Sequence, residues 1–389
     1  MSESTKERIE EQPEEKRKGK RALRYIEPGM AQHVLNSTTG RSYFMRPRES
    51  KRRLICGTIG HYQSLERHRH VRIHGYAFME NHFHMLMTIA PDAAVNVALD
   101  EPDLDMRRKK QVKACSTMLA RFMADIQREL SDRIQIYDVA VDTAILEAEA
   151  SGRFKAKEHL PTAARWEGHF WRGRYGSSAL PTTASEKKTL RYILAQGVKE
   201  HKVERCTQWP GPHMAHAFTG QGFERGTRLD ATAYSAAWAR YETAKAAGEK
   251  PKPPKRSDYE TEYEVVLTPP PSFGEMDWET YSAYIQDEMR AIERKAQQER
   301  QKTGRQVLGV KRVMRGPEKR RNNKPLSRHW RHAGYSMVVW ASSSHPLVKA
   351  YLARYRDYQK NPPPGVRRAE PWLDGVAGVS SETPHVVAA

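Results

Sequence analysis

The amino-acid sequence predicts an α+β fold in which helices pack on an antiparallel sheet. Between residues 32 and 130 the patterns alternate as strand, helix, strand pair and helix, an order that is typical of a small two-layer sandwich. The strand pair is joined by a connection of three residues, 79–81, which favours antiparallel neighbours. With 389 residues, the chain is long enough for two or three domains and a sizeable core.

Hydrophobic periodicity places each element of this sandwich. Apolar residues at helical spacing, such as Leu54, Ile55 and Ile59, indicate the helices, and alternating runs indicate the strands. The predicted elements in chain order are short strands at 32–36 and 42–46 around a turn at 37–40, a helix at 49–68, strands at 71–78 and 82–90, and a helix at 106–130.

A third helix is expected further along the same domain. Residues 131–165 read as an insertion, and residues 168–180 as an aromatic and basic loop. Thr183 and Glu186 form a capping-box pattern that would begin the helix, and Gly197 would end it.

Composition divides the rest of the chain. The predicted segments are a disordered charged tail (1–24), the α+β domain (25–215), a helix with a Pro-rich linker at 251–271 (216–271), a mainly helical basic extension (272–360) and a loose tail (361–389).

Charge and composition restrict the possible partners. The net charge is +19 and the pI is about 9.8, which favours nucleic acid over an anionic membrane surface. No run approaches 18 apolar residues, and no signal peptide is expected. The three cysteines are too few and too far apart for a disulfide framework or a cysteine zinc finger, which fits a reducing cytosol.

Two histidines form the first candidate site. In the alternating run at 82–90, His82 and His84 point to the same face, about 6.5–7 Å apart at Cα, so both could bind one cation. With 16 histidines, one His-x-His pair is also close to chance. His68 and His70 form such a pair, which we interpret as a solvated helix end or turn.

The third helix carries a second candidate group. On a helical wheel, Tyr192 and Gln196 are four residues apart and share a face opposite the core stripe. Lys188 and Lys199 flank them. A phenol beside an amide, with lysines on both sides, suits a phosphate-handling surface, although an ordinary exposed tyrosine is the commoner situation.

Three sequence blocks resemble one enzyme family. Residues 75–86 (GYAFMENHFHML) are similar to the His-hydrophobic-His strand of the single-tyrosine HUH transposases. Residues 168–175 (GHFWRGRY) and 190–199 (LRYILAQGVK) are similar to the downstream blocks of the REP-associated tyrosine transposase branch, and the blocks occur in the family's order.

The resemblance implies a fold, a reaction and a set of roles. The family fold is a ferredoxin-like (RRM-like) sandwich. By the resemblance, Tyr192 is the nucleophile, and His82, His84 and Gln196 bind a divalent metal ion, Mg²⁺ or Mn²⁺. The implied activity is cleavage of single-stranded or hairpin DNA through a 5′-phosphotyrosine intermediate, followed by rejoining.

The sequence also departs from the family pattern. Glu80 stands where the family usually has proline, and its carboxylate could join the metal site or repel a phosphate. Gln196-Gly197 stands where many relatives have Asn-Pro. Tyr175 is the main rival nucleophile, but it has alanine four residues on, so we prefer Tyr192.

DNA contacts are expected from aromatic and basic side chains. Trp171 could stack on bases or could anchor the core. The candidate nucleic-acid-binding residues are Trp171, Arg172, Arg174, Lys188, Lys199, Lys319, Arg320 and Arg321.

Three functions remain open at this point: a DNA-nicking and joining enzyme, a sequence-specific DNA-binding protein without catalysis, and a metal-dependent nuclease without a covalent intermediate. We expect a cytoplasmic, nucleoid-associated monomer or homodimer.

Overall fold

The computed structural model describes residues 23–94, 96–136, 169–219, 223–274, 276–314 and 345–366. The predicted tail up to residue 22, most of the predicted insertion, the basic residues Lys319, Arg320 and Arg321, and the tail beyond residue 366 lie outside these ranges.

The strands are β1 (Gln32–Ser37), β2 (Val71–Phe78), β3 (His82–Ile89), β4 (Gly176–Ala179), β5 (Phe223–Leu229) and β6 (Glu260–Val266). The longer helices are α1 (Glu49–Ser64), α2 (Leu104–Ile136), α3 (Thr183–Leu194), α4 (Ala231–Ala246), α5 (Trp278–Thr303), α6 (Val310–Met314) and α7 (Pro346–Lys360).

The central sheet has the strand order β2-β3-β1-β4. Every pair of neighbours is antiparallel, and α1 and α2 connect strands that are not adjacent. This is the ferredoxin-like arrangement, in which each helical crossover skips one strand. The predicted α+β fold is therefore confirmed.

The predicted strand at 42–46 is wrong. Both edges of β1 are already occupied, one by β3 and the other by β4, so a hairpin partner has no place there. The chain instead turns through a 3-10 helix, Thr39–Arg41, and the Thr38 hydroxyl donates to the Ser42 carbonyl at 2.6 Å. The fourth strand, β4, lies in the segment that we predicted to be a loop.

The two faces of the sheet are covered by different helices. Phe83 points toward α2, because it contacts Trp171, whose indole N–H donates to the Gln127 carbonyl of α2 at 2.8 Å. The opposite face carries α3, whose Leu190 packs over Gly75 of β2. Since Gly75 pairs with Leu86 of β3, α3 lies on the same face as His82 and His84.

A second sheet, formed by the antiparallel pair of β5 and β6, packs on α1. A Cβ on Gly226 would lie 2.1 Å from the Gly57 nitrogen, and one on Gly57 would lie 2.4 Å from the Thr227 carbonyl oxygen. Only glycine allows the backbones to approach so closely. Our interpretation of 251–271 as a linker is therefore wrong, since that segment contains β6.

The C-terminal extension is folded where the structure describes it. The apolar face of α5 is buried in the same apolar cluster as the central sheet, through Tyr281, Ile285, Met289, Ile292 and Ala296. Helix α7 packs on Tyr25 and Val112. None of the helices in the described ranges is long and apolar enough to cross a membrane.

Candidate active site

The two histidines of β3 meet on the face that α3 covers. Their ring centroids are 5.0 Å apart, with the rings nearly perpendicular. His84 is buried (3% exposed), whereas His82, at the start of the strand, is half-buried. The strand alternation that we predicted thus brings both imidazoles to one place.

Hydrogen bonds orient the His82 ring. Asn81 Nδ2 donates to the Arg41 carbonyl at 3.1 Å, which leaves Asn81 Oδ1 as an acceptor. This oxygen lies 2.7 Å from His82 Nδ1, so Nδ1 carries the proton. The lone pair of the neutral ring is therefore on Nε2, the atom that is available to a metal ion.

A third histidine, His33 of β1, completes the group. Its Nε2 lies 3.0 Å from His84 Nδ1, and the two rings stack with centroids 5.1 Å apart. His84 Nε2 is buried and has no hydrogen-bond partner among the described residues. The sequence prediction missed His33, although it lies in the strand predicted at 32–36, because its proximity to His84 depends on β1 pairing with β3.

All three imidazoles are neutral at pH 7. Burial, reinforced by Lys199, lowers the pKa of His33 to about 4. Burial and the charges of Lys202, Lys199 and Arg41 lower the pKa of His82 to about 3. Burial and the neighbouring histidines hold the pKa of His84 well below its ordinary value. Neutral rings are what metal coordination requires.

Helix α3 brings Tyr192 to these rings. The Tyr192 ring stands edge-to-face on His84, with centroids 5.1 Å apart, and lies 6.1 Å from His33. Tyr192 is half-buried, so the prediction of an exposed face opposite the core is wrong. The reason is that α3 sits against the sheet, and its C-terminal turn reaches the histidines.

The start of α3 also differs from the prediction. The N-cap is Thr182, whose hydroxyl accepts from Ser185 N at 3.1 Å, while Ser185 Oγ accepts from Thr182 N at 3.2 Å. Glu186 accepts instead from the Ser272 backbone at 2.8 Å. The capping box is therefore shifted by one residue from Thr183 and Glu186.

Gln196 lies in the turn that follows α3. It is buried (1% exposed). In the amide orientation that satisfies both polar atoms, its oxygen accepts from Lys199 Nζ at 3.0 Å and its nitrogen donates to Glu200 at 3.2 Å. Lys199 Nζ also lies 3.5 Å from the centre of the Tyr192 ring. One ammonium group thus contacts both residues that the sequence placed together.

Cations surround the site. Lys199, Lys202 and Arg41 all lower the pKa of His82, and Arg172 acts in the same way on Arg41. Glu80 does not face the histidines as a free carboxylate, because it forms an ion pair with Lys202 at 2.5 Å. Lys199 in turn lies 3.5 Å from Glu200, so two of these cations pair with acids, while Arg41 and Arg172 add positive charge that suits an anionic substrate.

The donor set for a metal ion is limited. Among the described residues, no group of three or more His, Cys, Asp or Glu side chains could hold a metal ion. What the site offers is the lone pair of His82 Nε2, the buried His84 Nε2 and the Gln196 amide oxygen. His82 and His84 could supply two imidazole nitrogens to a cation, whereas Gln196 could supply its oxygen only if Lys199 moved away from it.

The other predicted residues are distributed around this site. Trp171 packs on Phe83 and Phe170 and donates to α2, so the alternative of a core anchor accounts for its contacts. Exposed side chains are found at Arg172, Arg174 and Lys188.

The rival Tyr175 is buried under the guanidinium of Arg24, which lies 3.5 Å from its ring centre. Burial raises its pKa to about 12. It precedes β4, and the whole width of β1 separates that strand from β3.

Comparison with protein-family models and with curated proteins finds no match. Among solved structures, the chain is similar to a REP-associated tyrosine transposase bound to a REP hairpin. The sequence identity is 16% and the TM-score 0.31, over 52% of this chain and 87% of that chain.

Proposed function

We propose that this protein cleaves and rejoins single-stranded DNA, with Tyr192 as the nucleophile. The observation that supports the proposal most directly is the meeting of Tyr192 with His84 and His33 in a site surrounded by cations. A phenol, neutral imidazoles and lysines are the groups that a phosphodiester exchange by tyrosine needs.

The proposed step balances in atoms and charge. Tyr192 Oη forms a bond to phosphorus and loses its proton, and the bond between phosphorus and the 3′ oxygen breaks. The 3′ oxygen takes up a proton and leaves as a hydroxyl. Rejoining is the reverse attack by a 3′-hydroxyl, so no nucleotide cofactor is consumed.

Each residue of the site has a separate role in the proposed reaction. Lys199 lies over the Tyr192 ring, where its ammonium group can contact the phosphate that the phenol attacks. Lys202, Arg41 and Arg172 hold the phosphate backbone near the histidines. His82 and His84 would hold a divalent metal ion, Mg²⁺ or Mn²⁺, and Gln196 would join them once Lys199 bonds to a phosphate instead. When bound, such an ion supplies Lewis-acid stabilisation of the charge that develops on the phosphate.

The test is a denaturing gel after incubation with a single strand labelled at its 3′ end. We expect label to remain on the protein, because the phosphotyrosine retains the 3′ fragment. Tyr192→Phe should abolish this adduct, whereas Tyr175→Phe, the matched control, should retain it.

Two outcomes would contradict the proposal. An adduct that survives in Tyr192→Phe but disappears in Tyr175→Phe would move the nucleophile to the rival residue. Cleavage that persists in Tyr192→Phe without an adduct would support a hydrolytic nuclease instead.

One observation favours a second candidate, a DNA-binding protein without catalysis. The ammonium of Lys199 occupies the Gln196 oxygen, and a positive charge there opposes binding of a second cation. A native gel-shift of the same strand, run beside the denaturing gel, distinguishes this function, since it predicts tight binding of the strand with neither cleavage nor adduct.

A further inference from the structure

A segment of the C-terminal extension, residues 305–314, lies against the turn that follows Gln196; we call this segment the strap. Leu308 N donates to the His201 carbonyl at 2.8 Å, and Gly309 N donates to the Lys202 carbonyl at 2.9 Å. The strap therefore pairs by its backbone with the turn that supplies Gln196, Lys199 and Lys202 to the site.

A second anchor fixes the other end of the strap. The buried side chain of Arg46 donates to the Val313 carbonyl at 2.7 Å, and Val313 is itself buried (1% exposed). The neighbouring Met45 N donates to the Glu80 carbonyl at 2.9 Å, in the connection that precedes His82. The strap is thus tied to the segments on two sides of the site.

The turn holds an unusual backbone conformation where the strap binds. His201 is buried and has a φ of +54°, in the left-handed region that non-glycine residues avoid. It is the His201 carbonyl that accepts from the strap. The contact therefore helps to keep this turn, and the lysines on it, in place.

The strap carries positive charge that the described residues do not neutralise. Arg305, Lys311 and Arg312 are exposed, residues 305–314 include no acid, and no ion pair joins these three cations to any residue in the described ranges. The adjacent turn is faced by Glu299, 3.9 Å from His201, and by Glu80, which pairs with Lys202; neither pairs with a cation of the strap.

These cations lie close to the site. Lys311 follows Gly309 by two residues, so its Cα lies within about 7 Å of that anchor. The partner of Gly309 is Lys202, one of the charges that act on His82. The strap thus extends the cations around His82 along the surface, which is the arrangement that a chain of phosphates would follow.

We propose that the strap binds the sugar-phosphate backbone of single-stranded DNA next to the phosphate at Tyr192. This proposal rests on the proposed function for the position of that phosphate. A single strand is favoured over a duplex because the Tyr192 ring is half-buried, and one flexible strand reaches such a group more easily than two paired ones.

The test compares two triple variants of the full chain that lose the same charge. The first is Arg305→Ala, Lys311→Ala and Arg312→Ala. The control is Arg240→Ala, Lys250→Ala and Lys252→Ala. These three exposed cations lie on α4 and in the segment that connects it to β6. Binding of a fluorescent oligothymidine strand is measured by anisotropy over a range of salt concentrations.

We expect the strap variant to lose about tenfold in affinity, and the slope of log Kd against log salt to fall by about 2, since each phosphate contact on a single strand contributes about 0.7. The control should change the affinity less than about twofold. Equal losses in both variants, or no loss in the strap variant, would overturn the proposal. Tighter binding of an RNA strand of equal length would overturn the choice of DNA.

A cross-linking experiment locates the strand independently of affinity. All three native cysteines are buried, so Lys311→Cys introduces a single exposed thiol that can carry a photoactivatable group. Cross-linking to the strand is expected here and not from the control Lys252→Cys. Equal cross-linking at both positions would contradict the proposed path.

Failure of the two proposals can be told apart. Loss of binding in the strap variant, combined with the absence of any Tyr192 adduct in the unmodified chain, leaves the strap as a DNA-binding surface on a protein without catalysis. An adduct that forms normally in the strap variant, with unchanged affinity for the strand, would contradict DNA binding by the strap but would support the proposed enzymatic function.

Discussion

At the scale of single residues, the site depends on imidazoles that are neutral, two of which are buried. His33 fixes His84 through one hydrogen bond of 3.0 Å, in the way that residues behind a metal ligand commonly fix its ring and its tautomer. His33 is therefore a positioning residue: it acts through His84 and is not expected to touch the substrate.

If His82 and His84 bind a divalent metal ion as proposed, replacing His33 should weaken that binding. We expect His33→Ala to raise the Kd for Mn²⁺ by about 10- to 100-fold, as measured by calorimetry on the protein without DNA. His33→Gln, which can still bond to His84 Nδ1, should recover part of the affinity.

His70→Ala is the control, since His70 pairs with the exposed Asp92 and is not part of the site. An Mn²⁺ affinity unchanged in His33→Ala but lost in His82→Ala would show that His84 needs no support from β1.

At the scale of elements, the molecule is built from close approaches that the sequence marks with small residues. The β5–β6 sheet lies directly on α1 because Gly57 and Gly226 have no side chains. Along the chain, these glycines look like isolated breaks in a helix and in a strand, and only their partners explain them.

A methyl group at this contact should separate the β5–β6 sheet from α1. We expect Gly226→Ala to lower the free energy of unfolding by about 2–3 kcal/mol, as overpacking does elsewhere, measured by urea denaturation. Gly173→Ala is the control, because a Cβ there meets nothing within 4 Å. Equal stability of the two variants would contradict the close approach.

At the scale of the whole molecule, buried ionic groups join layers that are distant in sequence. Glu224 of β5 is buried (2% exposed). It forms an ion pair with Arg52 of α1 and accepts from the Tyr76 hydroxyl of β2 at 2.6 Å. Neutral hydrogen bonds also join distant parts of the chain: Leu23 and Gln359 exchange two hydrogen bonds that connect the first described residues to α7.

The charge of Glu224 should make stability depend on pH. Burial would raise the pKa of Glu224, but His216, Arg52 and the Tyr76 hydroxyl together lower it below its ordinary value. The stabilisation is therefore present above the pKa of the unfolded chain and is lost as the pH falls through the lower pKa of the folded state.

Glu224→Gln should cost about 3 kcal/mol at pH 7, and the difference from the unmodified protein should shrink in acid. Urea denaturation at a series of pH values measures both effects. Glu49→Gln is the matched control, because Glu49 pairs with the same Arg52 but is exposed, and it should change stability by less than about 1 kcal/mol. A constant difference at all pH values would show that Glu224 contributes through packing alone.

The sequence by itself determined the helices α1, α2 and α3, the strands β1, β2 and β3, and the histidine pair of β3, but not the strand β4. Alternation with period two and helical periodicity are local properties, so the residues themselves carry them. The same reasoning brought Tyr192 and Gln196 to one helix end, although it assigned them to the wrong face.

Only the tertiary structure decided which strands are neighbours and which distant segments contact the site. The pairing of β1 with β3 brought His33 to the site. The packing of α3 on the sheet left Tyr192 half-buried, and the backbone contacts of the strap placed residues 305–314 beside Lys202. These contacts join residues tens to hundreds of positions apart, and no local periodicity specifies them. They form because each buried surface and each backbone hydrogen-bonding group needs a partner, wherever in the chain that partner lies.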